Sequence, residues 1–171
     1  MHRLESLIRP IPNFPRPGIV FRDITPLLAN PKAMRLTVHQ LLHPFMSEAV
    51  DMVAGIEARG FIFGALCAQE LGAGFVPLRK PGKLPHRTES QPYALEYGVN
   101  ALEMHVDALG HGHRVLLVDD LIATGGTAAA SCALVERLGG VVVGCSFVIE
   151  LDALKGRDAL GARRVHTLLH Y

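Results

Sequence analysis

A chain of 171 residues that is 49% hydrophobic and 19% charged has enough apolar surface for its own core, which excludes an intrinsically disordered protein. Its formal net charge of +1 excludes a broad electrostatic footprint for nucleic acid or a membrane surface, so any anion binding must come from local clusters. Cys67, Cys132 and Cys145 include no C-x-x-C pair, which argues against a disulfide frame or a zinc site; Cys67 and Cys132 fall in helical patterns as small core residues.

The first ten residues carry charges throughout, and no apolar run approaches the ~18 residues of a membrane span, so a cytoplasmic protein without a leader is expected. Pro10, Pro12, Pro15 and Pro17 predict an extended, irregular arm. Asn30-Pro31 opens a helix that continues through Val38 and Leu42. Residues 51–56 read as a buried strand, 57–60 as a turn and 61–71 as an apolar-faced helix. Residues 74–78 form a short strand whose Pro77 points to an edge or strand-end position. The polar segment 79–91 has no period. Residues 93–97 and 101–106 alternate around Gly98-Val99-Asn100 and predict a hairpin.

A central strand at 114–118 follows, then a helix over 128–138 and strands at 141–149 and 165–169. Strands alternating with helices predict an α/β fold with a mostly parallel sheet covered on both faces. Neither a repeat nor a low-complexity linker divides the chain, so residues 1–171 read as one domain.

The densest chemistry lies between the central strand and its helix, in Val115-Leu116-Leu117-Val118-Asp119-Asp120-Leu121-Ile122-Ala123-Thr124-Gly125-Gly126-Thr127. An apolar strand delivers two carboxylates to its carboxyl end, and a small-residue turn then opens a helix whose first N–H groups are free to hold an anion. Acids for hydroxyls and a turn for phosphate suit a phosphorylated sugar. Alone, Asp-Asp after a strand is often a solvated turn and Gly-Gly is common punctuation. The run lacks the Lys of G-x-x-x-x-G-K-[ST] and is not a G-x-G-x-x-G fingerprint.

Ligands of open α/β sheets bind outside the carboxyl ends of the strands. Those ends carry Glu57-Ala58-Arg59-Gly60, Arg79-Lys80-Pro81-Gly82-Lys83 and Asp119-Asp120. Arg59, Arg79, Lys80 and Lys83 then face two acids and an anion-ready turn, which fits a ligand with a phosphate, ribose hydroxyls and a second multiply charged group. The nine histidines are scattered and form no H-E-x-x-H pattern, so no protein metal site is expected.

The 115–127 run resembles the 5-phosphoribosyl-1-pyrophosphate (PRPP) motif of the type I phosphoribosyltransferases. Four further blocks resemble the adenine-specific family within them: Phe14-Pro15-Arg16-Pro17-Gly18-Ile19-Val20-Phe21-Arg22-Asp23-Ile24-Thr25-Pro26-Leu27-Leu28, Gly55-Ile56-Glu57-Ala58-Arg59-Gly60-Phe61-Ile62-Phe63-Gly64, Arg79-Lys80-Pro81-Gly82-Lys83-Leu84-Pro85 and Leu95-Glu96-Tyr97-Gly98. They occur in the family's order from Pro12 onward, and Lys155-Gly156-Arg157 also fits.

The resemblance implies a type I phosphoribosyltransferase fold: a mostly parallel twisted sheet flanked by helices, a flexible hood hairpin at about 79–106, and a small N-terminal base-binding arm at about 1–30. It implies that Phe21 stacks on adenine, that the backbone of Val20 and Arg22 reads the base edge, and that Leu121 closes the other face. Ala123, Thr124, Gly125, Gly126 and Thr127 would hold the 5-phosphate, with Asp119 and Asp120 on the ribose hydroxyls. Ala58 and Arg59, in a loop with a non-proline cis peptide after the Ala58 position, would meet pyrophosphate together with Arg79, Lys80 and Lys83. Arg79 would reach a neighbouring subunit's site, which implies a homodimer.

Glu96 is the candidate proton-handling group and Tyr97 a hood residue. Catalysis would rest on Glu96, Arg59, Asp119 and Asp120. Mg²⁺ would arrive with PRPP, coordinated by substrate oxygens and water. The implied reaction is adenine plus PRPP giving AMP and pyrophosphate, with no nucleic-acid or membrane partner. Two alternatives stay open: a hypoxanthine, guanine or xanthine enzyme, and a non-catalytic PRPP or nucleotide sensor on the same fold.

Overall fold

The computed structural model describes residues 4–94 and 99–171, and the chain divides into two compact units, Met1–Gln40 and Leu41–Tyr171. In the first unit, strand β1 (Arg9–Pro12) pairs antiparallel with β2 (Val20–Asp23), Arg9 opposite Asp23 and Pro12 opposite Val20. The arm expected to be irregular therefore holds a short ribbon. Pro10 and Pro12 hide it from sequence reading because proline offers no ladder N–H and is tolerated only at such edges. Asn13, at φ 58°, turns the link between the strands and accepts a bond from the Gly18 N–H at 3.0 Å.

Asp23 accepts from both the backbone N–H and the hydroxyl of Thr25, at 2.9 and 2.8 Å, where α1 (Thr25–Leu28) begins. The Asn30 side chain then accepts from the N–H groups of Lys32 and Ala33 at the start of α2 (Pro31–Leu42). Asn as cap and Pro in the first turn are the residues a helix start favours, and the helix has the expected bounds.

The second unit is built on β3 (Met52–Ile56), α3 (Arg59–Leu71), β4 (Gly74–Leu78), β5 (Thr88–Ala94), β6 (Val99–His105), β7 (Arg114–Ile122), α4 (Gly126–Arg137), β8 (Val141–Glu150) and β9 (Val165–His170). Five strands form a parallel sheet in the order β4-β3-β7-β8-β9, as the fold class predicts. β4, with Pro77, takes the edge. The near-continuous apolar runs of β7 and β8 are those of strands covered on both faces. Leu117, Phe147, Leu134, Leu102 and Met104 share one buried cluster, so α4 and the β6 strand close over the same face of the sheet.

β5 and β6 form the expected hairpin, with a different register. Thr88 pairs with His105 and Ala94 with Val99, so Val99 and Asn100 belong to a strand, while the expected strand residues 95–97 lie outside the described residues. The segment 79–91, expected to lack regular structure, supplies the start of β5. Thr88-Glu89-Ser90-Gln91 has no apolar alternation because polar partners hold it: Arg137 of α4 donates to the Glu89 carboxylate, the Ser90 carbonyl and the Gln91 side chain.

The strand order positions the site. From β3 the chain moves outward to β4, then returns to the other side of β3 to lay down β7, β8 and β9. The order reverses between β3 and β7, and a doubly wound sheet leaves its ligand crevice outside the carboxyl ends at such a reversal.

Candidate active site

A cavity of about 370 Å³ opens at that reversal, within the usual range for small-molecule sites of roughly 300–1,000 Å³. From the β3 side it is lined by Glu57, Ala58 and Arg59, and from the β7 side by Asp119, Asp120 and Leu121. Ala123, Thr124, Gly125 and Thr127 complete the β7 wall. Gly126 is the first residue of α4 and is outside the lining.

Arg59 is already helical, because α3 starts two residues earlier than the 61–71 expectation. The non-proline cis peptide joins Glu57 to Ala58 and so precedes Ala58, where the family resemblance suggested a position after it. The Arg59 Nε donates to Asp120 Oδ2 at 2.5 Å. The Asp120 side chain is 6% exposed and that of Arg59 46%, so the cation reaches from a buried acid toward the opening.

Asp119 and Asp120 lie in the second half of β7 and not in a turn beyond it. The Asp119 carboxylate accepts the Asp120 N–H at 2.8 Å. Loss of hydration, followed by the adjacent Asp120 charge, pushes the Asp119 carboxyl well above the usual range, against the pull of that N–H bond and of Arg59. Two acids held side by side against one cation resist carrying two full charges.

The turn owes its shape to Gly125, the N-cap of α4 at φ 80°. A Cβ there would also lie 2.1 Å from the Gly156 carbonyl oxygen, so both conformation and contact demand glycine. The Gly125 carbonyl accepts the Ala129 N–H, and the Ser131 hydroxyl donates to the Thr127 carbonyl, both at 2.8 Å. A helix start leaves its opening N–H groups without intrahelical acceptors, and Thr127 and Ala128 of that first turn line the cavity, an arrangement that suits an anion.

Arg79, Lys80 and Lys83 are not in the lining. Arg79 pairs with the Glu57 carboxylate at 3.1 and 3.3 Å and donates to the Lys83 carbonyl at 2.9 Å; the Lys80 N–H donates to Glu57 at 3.0 Å. Glu57 thus links the loop after β3 to the loop after β4, and the Arg79 bond holds its carboxyl below the ordinary range. Val20, Phe21 and Arg22 form β2 of the other unit, where the Phe21 ring meets Phe14 edge-on at 5.3 Å. Glu96 and Tyr97 lie outside the described residues.

Four residues the site reading passed over bear on it. Glu57 lines the cavity and is the acceptor of the Arg79 loop; its signal is a carboxylate two positions before Arg59. Tyr93 of β5 also lines the cavity. A Cβ on Gly60 would sit 2.6 Å from Asp119 Oδ1, so α3 can approach β7 only with glycine there. Gly156 supports the turn from below, and only the Lys155-Gly156-Arg157 match hinted at it.

In the cavity the Asp120 carboxylate is paired with Arg59. Elsewhere among the described residues, Glu150, Asp152 and His170 bring ligand atoms within 4.8 Å of one another. Arg157 already occupies Glu150, through contacts of 2.7 and 2.8 Å to its two oxygens.

A parallel sheet with two acids inside one strand, a glycine turn after that strand and an arginine from the element following its neighbour has the layout of a sugar-phosphate transferase site. The sequence matches the phosphoribosyl transferase domain over residues 27–168. Over all 171 residues it is 67% identical to the adenine phosphoribosyltransferase of Methylococcus capsulatus, with each chain covered in full. The crystal structure of the Rhodothermus marinus adenine phosphoribosyltransferase superposes with a TM-score of 0.94 at 54% identity, covering 98% of this chain and 96% of that one. The Saccharomyces cerevisiae enzyme, complexed with an imino-altritol bisphosphate and adenine, gives 0.92 at 42% identity, covering 96% of each chain. The chain belongs to the phosphoribosyl transferase domain family and, within it, to the adenine phosphoribosyltransferases.

Proposed function

We propose that this chain transfers the 5-phosphoribosyl group of PRPP to N9 of adenine, giving AMP and pyrophosphate. The observation that carries the reading is one cavity, at the β3/β7 reversal, that joins Arg59, the Asp119–Asp120 pair and the Gly125 turn. The full-length likeness to adenine-specific enzymes selects the base.

The turn 123–127 takes the 5-phosphate on backbone N–H groups and the Thr124 and Thr127 hydroxyls. Asp119 and Asp120 hold the ribose hydroxyls. As the bond to pyrophosphate breaks, positive charge grows on the ribose and negative charge on the leaving group. The two acids favour the first, and Arg59 with its partly exposed guanidinium favours the second. Mg²⁺ brought by PRPP, with no protein cage of its own, would offset the charge of the pyrophosphate.

Phe21, the backbone of Val20 and Arg22, and Leu121 hold the base. Glu96 takes the ring proton that adenine loses, and Tyr97 belongs to the hood segment 79–106 that excludes water. Gln at position 96 should lower kcat by roughly a hundredfold and flatten its pH profile. An unchanged rate and profile would assign the proton to another group.

The whole chain, 1–171, works as one catalytic domain and as a homodimer in the cytoplasm. Arg79, Lys80 and Lys83, outside their own cavity, contact pyrophosphate in closed or paired subunits. Ile62 and Leu66, four apart on α3 and both more than a third exposed, supply an apolar stripe for such pairing. Three free, buried cysteines suit a reducing compartment, and no described helix is long and apolar enough to cross a membrane. The deciding experiment supplies PRPP and Mg²⁺ with adenine, hypoxanthine, guanine or xanthine. AMP from adenine alone is expected, and no product from adenine overturns the reading.

A further inference from the structure

The phosphate turn rests on a second segment of backbone. A Cβ on Gly125 would meet the Gly156 carbonyl at 2.1 Å, and a Cβ on Gly156 would meet the Ala123 carbonyl at 2.3 Å. At both glycines the nearest atom is a backbone carbonyl oxygen of the other stretch, which yields less readily than the end of a side chain. Whatever fixes Gly156 therefore fixes 123–125.

The next residue does so. Arg157 forks onto Glu150 at the end of β8, with Nε 2.7 and 2.8 Å from its two oxygens and Nη2 2.7 Å from Oε2. Its Nη1 donates to the Val165 carbonyl at 3.0 Å and its Nη2 to the Thr167 hydroxyl at 2.8 Å. The Thr167 hydroxyl donates in turn to Glu150 at 2.9 Å. The Glu150 side chain is 6% exposed, which a surface ion pair of little consequence would not require. One guanidinium ties the segment that carries Gly156 to both β8 and β9. Close by, the Leu151 N–H donates to the Ile122 carbonyl at the end of β7, and Leu160 is buried in the core.

We infer that Arg157, held by Glu150 and Thr167, is a positioning residue that presses Gly156 against Ala123–Gly125 and so sets the N–H directions of the phosphate turn. It touches no substrate. This rests on the proposed function only for the identity of the ligand; the clamp itself is a property of the free protein. A donor set aligned in advance binds an anion without reorganising, and a misplacement near 1 Å is enough to matter.

Two variants test it, Arg157→Gln and the milder Thr167→Val, which retains the ion pair and carries the test if the first does not fold. Amide hydrogen exchange over 121–128 should rise in both variants without any substrate present. In steady-state assays Arg157→Gln should raise the KM for PRPP about tenfold and Thr167→Val by less, with the KM for adenine and kcat changed by no more than about twofold. Unchanged exchange over 121–128 overturns the clamp. Equal rises in both KM values, or a lower melting temperature with both KM values intact, make Arg157 a structural anchor and also overturn it. If the wild type makes no AMP, the functional reading falls while the exchange measurement still decides the clamp.

Discussion

Glu57 and Arg79 form a two-pronged ion pair, Nη2 to Oε1 at 3.1 Å and Nε to Oε2 at 3.3 Å, that ties the loop after β3 to the loop after β4. The Lys80 N–H shares the same carboxylate. An acid in the cavity wall therefore sets where the cationic loop begins.

Glu57→Gln should loosen that loop. The side chains are 18% and 31% exposed, so the pair contributes roughly 1 kcal/mol or less. The folded-state carboxyl titrates below its ordinary value, which fixes the sign. Its contribution is full above the unfolded value of about 4.3 and is lost as pH falls through the lower, folded value. Melting curves of wild type and variant should therefore differ at pH 7 and converge as pH falls through that lower, folded value. A constant gap across that range would show that the charge is not what stabilises the loop.

Arg59→Gln should remove a leaving-group donor and lower kcat by about a hundredfold or more. It also leaves the buried Asp120 without the cation that pairs with it. Arg59→Lys keeps charge and should recover only part, because a point charge cannot reproduce the planar fork. Rates for the three proteins check this; full recovery by lysine would reduce the role to simple charge.

The parts of the site legible in sequence are those whose residues lie close together in the chain. The apolar run of β7, its two acids and the Gly125 turn announce strand, ligand wall and helix start within thirteen consecutive residues. The β1–β2 ribbon was hidden by Pro10 and Pro12, and the start of β5 by the polar run Thr88–Gln91, which Arg137 holds from a distant helix. Glu57 looked like a turn residue because its partner lies 22 positions away. Gly156 was equally opaque, since a backbone-to-backbone contact leaves no pattern in side-chain type. Periodicity reports which face a residue presents and is silent on what meets it there.

Gly60→Ala asks how tightly α3 must approach β7. The added methyl would lie 2.6 Å from Asp119 Oδ1 and 3.0 Å from the Val118 carbonyl, and backbone cannot yield cheaply. A loss of about 1–3 kcal/mol is expected from such overpacking, although alanine is the better helix former. Because the clash falls on Asp119, activity should drop further than the folded fraction does. Urea unfolding beside kinetics on the folded protein separates the two, and an active variant of wild-type stability would mean that the helix end has room to move.

Asp119 should make the free enzyme trade stability for function. Its carboxyl titrates far higher folded than unfolded, first through lost hydration and then through Asp120. The sign is opposite to that of Glu57: below the unfolded value of about 4 the group costs nothing, and as pH rises the unfolded chain ionises first, so folding loses free energy until the folded group ionises too. Asp119→Asn abolishes that slope. The variant should therefore melt at a higher temperature than wild type near pH 7, with the gap closing as pH falls toward 4, while its kcat/KM for PRPP falls by about tenfold or more through loss of a ribose acceptor. Differential scanning calorimetry across pH, in the absence of substrate, reads the first effect. A variant no more stable than wild type at neutral pH would mean that Asp119 is ionised at little cost. The acid pair would then serve as a fully charged ribose clamp from the outset.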